Sequence, residues 1–226
     1  MADMKGVNDY HRELTRDQIA RKVHREFIGG MWDELGQLQF DFLKQQGLEP
    51  HHRLLDIGCG ALRGGLHFVR YLDAGNYCGQ DINRSLIEAG AFELQEAGLA
   101  DKEAKLMVDD AFSFGGFGVE FDFMLSVSLF THLPFNMIVR CLDAARQSLK
   151  PDGTYYATYF HAPSPAHVAM ITHEPGGVVS RYDADPFHYA IDELGYMAKI
   201  TGLELTEVGD WGHPRDQRMA AFRRSR

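Results

Sequence analysis

The stretch LLDIGCGALRGG, residues 54–65, decides the fold class of this chain. A short apolar run leads to Asp56, and Gly58 and Gly60 follow before helical spacing of apolar residues begins at Leu62. Glycine permits a tight turn and a close approach of the backbone to a ligand, and the helix that follows presents free N–H groups at its N-terminus. The stretch therefore predicts a strand, a ligand-binding turn and a helix, in that order.

Short apolar strands and helical segments continue to alternate toward the C-terminus. Seven segments are predicted as strands: RLLDIG, NYCGQD, AKLMVD, FDFMLSVS, GTYYATYF, LELTEV and RMAAFR. Helical patterns separate most of them, which predicts right-handed crossovers and a largely parallel sheet. Only GDWGHPRDQ joins the last two strands, and this connection is too short for a helical crossover. We therefore predict an α/β fold with an antiparallel last strand and helices on both faces of the sheet.

The segment before the first predicted strand has a helical pattern of its own. Thr15 and Gln18 form a capping box that opens one helix, and a second apolar stripe begins at Trp32. We therefore predict that residues 1–48 form an N-terminal extension of two helices and that residues 49–226 form the main domain.

One long connection interrupts the alternation. Residues 161–185 follow the fifth predicted strand and are rich in Pro, Gly and His. A connection of this length in a compact domain is typical of a lid or a binding loop. Asp185 and Pro186 are predicted to open the next helix as its N-cap and first residue.

Composition limits the classes of function. The chain has 23 Lys and Arg against 32 Asp and Glu, a net charge of −9, which disfavours a general nucleic-acid binder. The three cysteines lack CxxC spacing, and the N-terminus has no apolar leader, so a cytoplasmic protein is expected. No apolar stretch approaches the ~18 residues of a membrane helix. The eleven histidines form no zinc pattern, so no metal is expected.

Three acids stand at the ends of three successive predicted strands. Asp56 ends the first, Asp81 ends the second, 21 residues after Gly60, and Asp110 follows the third with Phe112 close behind. The carboxyl ends of parallel strands share one edge, so these side chains are predicted to face one ligand. Asp81 has the spacing of an acid that binds ribose hydroxyls, and Asp110 and Phe112 suit an adenine. Asp56 would crowd a pyrophosphate but suits an ammonium group, so an unphosphorylated adenosine-like ligand is predicted.

A nicotinamide enzyme is the weakest alternative, because Arg63 stands where the dinucleotide fingerprint G-x-G-x-x-G has its third glycine. The motifs instead resemble those of the class I S-adenosylmethionine-dependent methyltransferases. D-x-G-C-G, the acid after the second strand, V-x-D-A, FDFMLSVSLFTHL and LKPDGTYYATYF resemble that family's five motifs, over about residues 53–160. The resemblance implies a Rossmann-like sheet of seven strands, the last one reversed, and S-adenosylmethionine as cofactor.

The resemblance also implies a set of cofactor-binding residues. They are Asp56, Gly58, Gly60, Arg63, Asp81, Ile82, Asp110, Ala111, Phe112 and Ser126. Among them, Asp81 would hold the ribose and Asp110 the adenine. The role of Arg63 stays open, with the methionine carboxylate as one partner for its guanidinium.

The absence of three acceptor-specific motifs limits the class of methyl acceptor. Ser126, Val127 and Ser128 stand where magnesium-dependent catechol enzymes carry acids. The Asn/Asp-Pro-Pro-aromatic motif for nucleobase or amide amines is absent, and so is a Pro-Cys nucleophile for ring carbons. We therefore predict O-methylation of a small polar hydroxylated metabolite or a sugar. N-methylation of a small amine and a non-catalytic binding module are the alternatives.

Four histidines stand where a general base could reach the methyl group. They are His132 after the fourth strand, His161 after the fifth, His188 at the start of the following helix, and His213 in the final turn. One of them is expected to take the hydroxyl proton as the methyl group is displaced in line. The expected partner is a small-molecule acceptor, not nucleic acid or a membrane, and the oligomeric state is left open.

Overall fold

The computed structural model describes residues 12–163 and 166–225. Within these residues the strands are β1 Leu54–Ile57, β2 Tyr77–Asp81, β3 Lys105–Val108, β4 Phe121–Ser126, β5 Leu149–His161, β6 Ile171–His173, β7 Val178–Ser180, β8 His188–Tyr189, β9 Leu203–Gly209 and β10 Gln217–Arg224. The helices are α1 Arg16–Ala20, α2 Val23–Phe27, α3 Trp32–Gln45, α4 Gly65–Tyr71, α5 Arg84–Glu96, α6 Phe135–Ser148 and α7 Ile191–Ile200.

The main sheet has the order β3-β2-β1-β4-β5-β10-β9. β10 is antiparallel to both β5 and β9, and the other strands of this sheet run parallel to one another. The predicted mostly parallel sheet with a reversed last strand is therefore confirmed, and the two-residue β8, which pairs with the end of β5, adds an eighth strand to the predicted seven. The strand order changes direction between β1 and β4, and in open α/β sheets a ligand binds at this switch point.

Helices cover both faces of the sheet because successive strand residues point to opposite sides. Tyr155 of β5 faces the layer of α6 and α7, where Cys141 and Leu194 are fully buried. Its neighbour Tyr156 faces the layer of α3 and α4, where Phe42 and Phe68 are buried. The two apolar layers fix the sheet between them and leave the strand ends to form the site.

The N-terminal extension differs from the prediction in one respect. Its first helix is interrupted at Lys22, which adopts a left-handed φ of 60°, so α1 and α2 are separate single-turn helices. The break accompanies a buried ionic cluster with α5. Glu93 accepts hydrogen bonds from Arg25 Nε and Nη2 and contacts His24 Nε2, each at 2.8 Å. The extension is thereby fastened to α5 of the main domain.

The connection after β5 also corrects a prediction. The helix does not open at Asp185 and Pro186 but begins at Ile191, and His188 lies in β8 instead of at a helix start. The chain stays extended at this point because β8 forms a parallel pair with the end of β5. Before it, β6 and β7 form an antiparallel hairpin.

Candidate active site

A cavity of about 430 Å³ lies at the C-terminal ends of β1 to β4. Eight of the ten predicted cofactor residues border it: Asp56, Gly58, Gly60, Arg63, Asp81, Ile82, Asp110 and Phe112. Ala111 and Ser126 do not border it. Acids that are distant in the sequence therefore lie together at one edge of the sheet, as expected for the ends of parallel strands.

The glycine turn after β1 and the acid after β2 are joined by a hydrogen bond. Gly58 and Gly60 have left-handed φ values of 72° and 54°, which favour glycine. The Gly60 N–H donates to Asp81 Oδ2 at 2.9 Å, and the Asn83 N–H donates to Oδ1 at 2.8 Å. Burial raises the pKa of Asp81, and these two N–H donors oppose that rise. Asp81 is thus fixed at the cavity wall with its carboxylate oriented.

Asp56 lies deeper in the cavity and is only 5% exposed. The hydroxyl of Tyr77 donates to its Oδ2 at 2.8 Å. Burial raises the pKa of Asp56 to about 7, the Tyr77 hydrogen bond opposes this rise, and the nearby Asp81 adds to it. A cation placed beside Asp56 would favour its ionised form, which fits the ammonium group of an amino-acid ligand.

After β3, two adjacent acids have different surroundings. Asp109 Oδ2 accepts hydrogen bonds from Gln80 Nε2 and the Ser113 N–H, both at 2.8 Å, and from the Ala111 N–H at 3.2 Å. Asp110 is exposed and borders the cavity. Asp109 therefore organises the loop, and Asp110 borders the cavity. The sequence prediction missed Asp109 and Gln80. The pair of adjacent acids, Asp109 and Asp110, was the only sequence feature that could have pointed to Asp109.

The end of β4 presents Ser128 to the cavity instead of Ser126. Ser126 Oγ lies 2.8 Å from the hydroxyl of Tyr155 inside the core. Ser128 adopts a φ of 61°, and its N–H donates to Thr158 Oγ1 at 2.7 Å. Its own hydroxyl donates to Gln217 Oε1 at 3.1 Å. Ser126 thus points away from the cavity, and the next two residues, Val127 and Ser128, border it.

The N-terminal extension contributes part of the cavity wall through Ile28 and Gln39. Arg63, which is 9% exposed, donates from Nη1 to the Gly30 carbonyl at 2.9 Å and to the Ile28 carbonyl at 3.3 Å. Part of the Arg63 guanidinium therefore fastens the extension over the cavity. The sequence prediction missed both wall residues because their signal was only that of an amphipathic helical segment.

Among the four predicted candidate bases, His132 borders the cavity. Its Nδ1 lies 2.6 Å from Oδ1 of Asp185, so the carboxylate fixes the ring and places a proton on Nδ1. In this tautomer the other ring nitrogen, Nε2, has the lone pair that a base needs. Asp185 was predicted as a helix cap and instead orients this histidine.

The other three histidines do not border the cavity. His188 is fully buried, with Nε2 at 2.7 Å from the His167 carbonyl and Nδ1 at 2.8 Å from Ser180 Oγ. His161 packs near Tyr159, and burial lowers its pKa. His213 is 5% exposed, and burial, with Arg63 and Arg215 nearby, lowers its pKa to about 3. None of the residues at 161–163 and 166–185 borders the cavity, although Asp185 contacts His132.

In residues 12–163 and 166–225, no group of three or more His, Cys, Asp or Glu side chains is arranged to hold a metal ion. Over the same part of the chain, every helix is too short or too polar to cross a membrane.

Comparison with known proteins supports the interpretation of the cavity. Residues 55–155 match a family model described as a methyltransferase domain. A 24-methylenesterol C-methyltransferase 2 of Oryza sativa subsp. japonica is 27% identical over 210 residues, which are 90% of this chain and 50% of that protein. The chain thus spans about half the length of this curated relative.

Solved structures share the fold at low sequence identity. The CcbJ methyltransferase of Streptomyces caelestis is 14% identical, with a TM-score of 0.66 over 98% of this chain and 97% of that one. The magnesium protoporphyrin IX methyltransferase of Synechocystis PCC 6803, solved with bound S-adenosylmethionine, is 11% identical, with a TM-score of 0.59 over 96% of this chain and 89% of that one. At such identities the likeness concerns the fold.

Proposed function

We propose that the chain is a class I S-adenosylmethionine-dependent methyltransferase that methylates a hydroxyl oxygen of a small polar metabolite or sugar, with His132 as the general base. The observation that carries this proposal is the His132–Asp185 pair at the cavity wall, with 2.6 Å between Nδ1 and Oδ1. The oriented imidazole matches the need of an alcohol, which is a poor nucleophile until its proton has a place to go.

The residues of the cavity fit the parts of the cofactor. Asp56 is buried beside the glycine turn and suits the ammonium group, and the oriented carboxylate of Asp81 suits the two ribose hydroxyls. Asp110 and Phe112 lie at the end of β3, where an acid and an aromatic ring suit the adenine amino group and face. When bound, S-adenosylmethionine supplies an electrophilic methyl group on sulfur.

The chain's own residues would act by orientation and proton removal. Holding the acceptor in line with the methyl group supplies much of the acceleration in such a reaction. His132 would accept the hydroxyl proton at Nε2, and the Asp185 carboxylate would stabilise the imidazolium that forms. Ser128, held by Thr158 and Gln217, lies at the same wall and would help to position the acceptor.

Residues 161–185, of which 164 and 165 lie outside the described residues, are proposed to form a lid that selects the acceptor. The support is that Asp185 contacts His132 and that the Phe187 N–H donates to the Thr131 carbonyl at 2.7 Å, just before His132. The segment therefore joins the wall that carries the proposed base. A movement of the segment would reposition Asp185 and, with it, His132.

The proposal is tested by transfer of a tritiated methyl group from S-adenosylmethionine into an extract of small polar metabolites, followed by identification of the labelled bond. The expected product is a methyl ether that resists acid treatment. A labelled secondary or tertiary amine would establish the N-methyl alternative. Binding of the cofactor without transfer into any extract would favour the non-catalytic module.

The matched control for this experiment is His51→Ala. His51 is exposed before β1, at the opposite end of that strand from the cavity, and pairs with Glu49 at 3.4 Å. Its loss removes an imidazole without touching the site, so the variant is expected to transfer methyl groups at the wild-type rate. A rate that falls equally in His51→Ala and His132→Ala would show a general effect on the protein.

A further inference from the structure

Three hydrogen bonds fix the orientation of Ser128 at the cavity wall. Its N–H donates to Thr158 Oγ1 at 2.7 Å, and its carbonyl accepts from Thr131 Oγ1 at 2.9 Å. Its hydroxyl donates to Gln217 Oε1 at 3.1 Å, and that oxygen also accepts from Thr158 Oγ1 at 2.6 Å. An amide oxygen can only accept, so the direction of the Ser128 hydroxyl bond is set. The hydroxyl proton is therefore occupied, and Ser128 Oγ offers a ligand only its lone pairs.

The backbone of Ser128 is held in a conformation that serine seldom adopts. Its φ is 61°, in the left-handed region where a side chain is strained. Such strain persists where the surrounding contacts impose it, and it occurs most often at ligand-binding and active sites. The bonds to Thr131, Thr158 and Gln217 are contacts of this kind. The conformation therefore supports a role of Ser128 in binding a ligand.

The position of Ser128 along the sheet edge separates it from the three acids proposed to bind the cofactor. In the order β3-β2-β1-β4-β5-β10, those acids lie at the ends of β1 and β2 and just after β3. Ser128 follows β4, and its partners Thr158 and Gln217 lie on β5 and at the start of the antiparallel β10. His132 also follows β4, and both it and Ser128 border the cavity. Ser128 therefore shares its half of the edge with the proposed base.

We propose that Ser128 Oγ accepts a hydrogen bond from a second hydroxyl of the methyl acceptor, one that is not methylated, and that Gln217 positions Ser128 for this contact. The contact rests on the proposed function, which assigns a hydroxylated acceptor to this cavity. Ser128 can donate to an ether oxygen only by giving up its bond to Gln217, so an O–H is bound and an ether of similar size is rejected. The class of acceptor is thereby narrowed to compounds with at least two hydroxyls, such as a diol or a sugar.

Gln217 is 3% exposed and does not border the cavity, so it acts through Ser128. Its backbone is held on both sides. It pairs with Phe160 of β5, and its carbonyl accepts from Trp211 Nε1 at 2.9 Å. The side-chain oxygen is therefore presented to Ser128 from a fixed place, which makes Gln217 a positioning residue.

The test uses two compounds of similar size that differ in one donor, cis-1,2-cyclohexanediol and its monomethyl ether. Both have a hydroxyl for His132, but only the diol has a second O–H for Ser128. Each compound is added as a competitor while a tritiated methyl group is transferred from saturating S-adenosylmethionine into the metabolite extract. The label in the extract compounds is separated from any label in the competitor, and an inhibition constant is obtained for each variant.

The variants remove the hydroxyl or the oxygen that orients it. Ser128→Ala removes the hydroxyl, and Ser128→Gly does so with a residue that adopts a φ of 61° without strain. Gln217→Met removes the orienting oxygen, whereas Gln217→Glu retains one. The control is Ser148→Ala, because Ser148 ends α6 just before β5 begins, at the opposite edge of the sheet from the cavity.

We expect the diol to inhibit the wild type and Ser148→Ala about tenfold more strongly than the ether, as one hydrogen bond allows. In Ser128→Ala and Ser128→Gly the two compounds should inhibit equally. Gln217→Met should lose most of the difference, and Gln217→Glu should retain it. A merely structural role would weaken both compounds by the same factor and leave their ratio unchanged. Calorimetry should give the wild-type affinity for S-adenosylhomocysteine in every variant.

Equal inhibition of the wild type by the two compounds would overturn the proposal, and so would no inhibition by either. A preference for the diol that survives in both Ser128 variants would overturn it as well. Weaker binding of S-adenosylhomocysteine by Ser128→Ala and Ser128→Gly would assign the lone pairs to the cofactor and contradict the contact with the acceptor. Failure of the proposed function gives a different result, since the wild type would then transfer no label to any hydroxyl of the extract, and the contact would be rejected with it.

Discussion

Asp185 Oδ1 lies 2.6 Å from His132 Nδ1, although the two residues are 53 positions apart in the chain. The side chains are 12% and 26% exposed, so the pair is partly shielded from water at the cavity wall. The carboxylate comes from the end of the proposed lid, and the imidazole follows β4. The contact therefore links the acceptor side of the site to the proposed base.

The first prediction concerns this carboxylate. Asp185→Asn keeps the size of the side chain but removes its charge, so His132 loses the partner that fixes its tautomer and stabilises the imidazolium. We expect kcat to fall by about 10²–10⁴, with the affinity for S-adenosylhomocysteine unchanged. Steady-state kinetics with calorimetry on the same variant checks both quantities. An unchanged kcat would reduce Asp185 to a structural contact.

The second prediction concerns the ribose acid. Asp81→Ala removes a carboxylate that the Gly60 and Asn83 N–H groups orient. Loss of its hydrogen bonds to the ribose should cost about 1.5–3 kcal/mol, a ten- to hundred-fold loss of affinity for S-adenosylhomocysteine. Calorimetry measures this loss directly. Wild-type affinity in the variant would show that Asp81 does not bind the cofactor.

The third prediction concerns the pH dependence of cofactor binding. Burial raises the pKa of Asp56 to about 7, so the carboxyl is about half protonated at neutral pH in the free protein. A bound ammonium group favours the ionised form, so Asp56 releases a proton on binding. Affinity should therefore rise by about tenfold from pH 6 to pH 8 and then level off.

Asp56→Asn provides the control for this pH dependence. Its affinity for S-adenosylhomocysteine should be weaker and nearly constant over the same pH range. The stability of the free protein changes in the opposite direction. Because folding raises the pKa of Asp56 from 3.8 to about 7, the free energy of unfolding falls as the pH rises between these two values. Asp56→Asn lacks this loss and should unfold at a higher temperature than the wild type at pH 8. An affinity that does not change with pH in the wild type would show that Asp56 faces no cation.

The fourth prediction concerns the hairpin of β6 and β7 in the proposed lid. Replacing residues 171–180 with a short Gly-Ser link removes the hairpin but retains Asp185. We expect transfer to fall below detection while the affinity for S-adenosylhomocysteine changes by less than a few-fold, because the described residues of 161–185 do not border the cavity. Equal loss of binding and transfer would identify the hairpin as a structural brace.

The sequence predicted the parts of the site that depend on strand order and local spacing. Asp56, Asp81 and Asp110 each lie at or just beyond the C-terminal end of a strand, and parallel strands bring these ends to one edge whatever the helices between them do. The capping box at Thr15 was also predicted, because it is a contact between near neighbours in sequence. These features need no knowledge of tertiary packing.

Other features depend on packing between distant segments, so the local sequence pattern either misleads or does not indicate them. Asp185 followed by Pro186 has the pattern of a helix start, but pairing of β8 with β5 keeps the chain extended there. The break at Lys22 and the turn at Ser128 both use a left-handed backbone at non-glycine residues, which sequence patterns do not predict. The tertiary structure determines all three.

We propose that His132 removes a proton from the methyl acceptor, and the most direct test is kcat at saturating S-adenosylmethionine for the wild type and His132→Ala. We predict that His132→Ala lowers kcat by about 10²–10⁴ with S-adenosylhomocysteine binding intact, because the acceptor hydroxyl loses the group that takes its proton. A His132→Ala variant that keeps the wild-type kcat would contradict the proposal and favour N-methylation, which requires orientation more than proton removal.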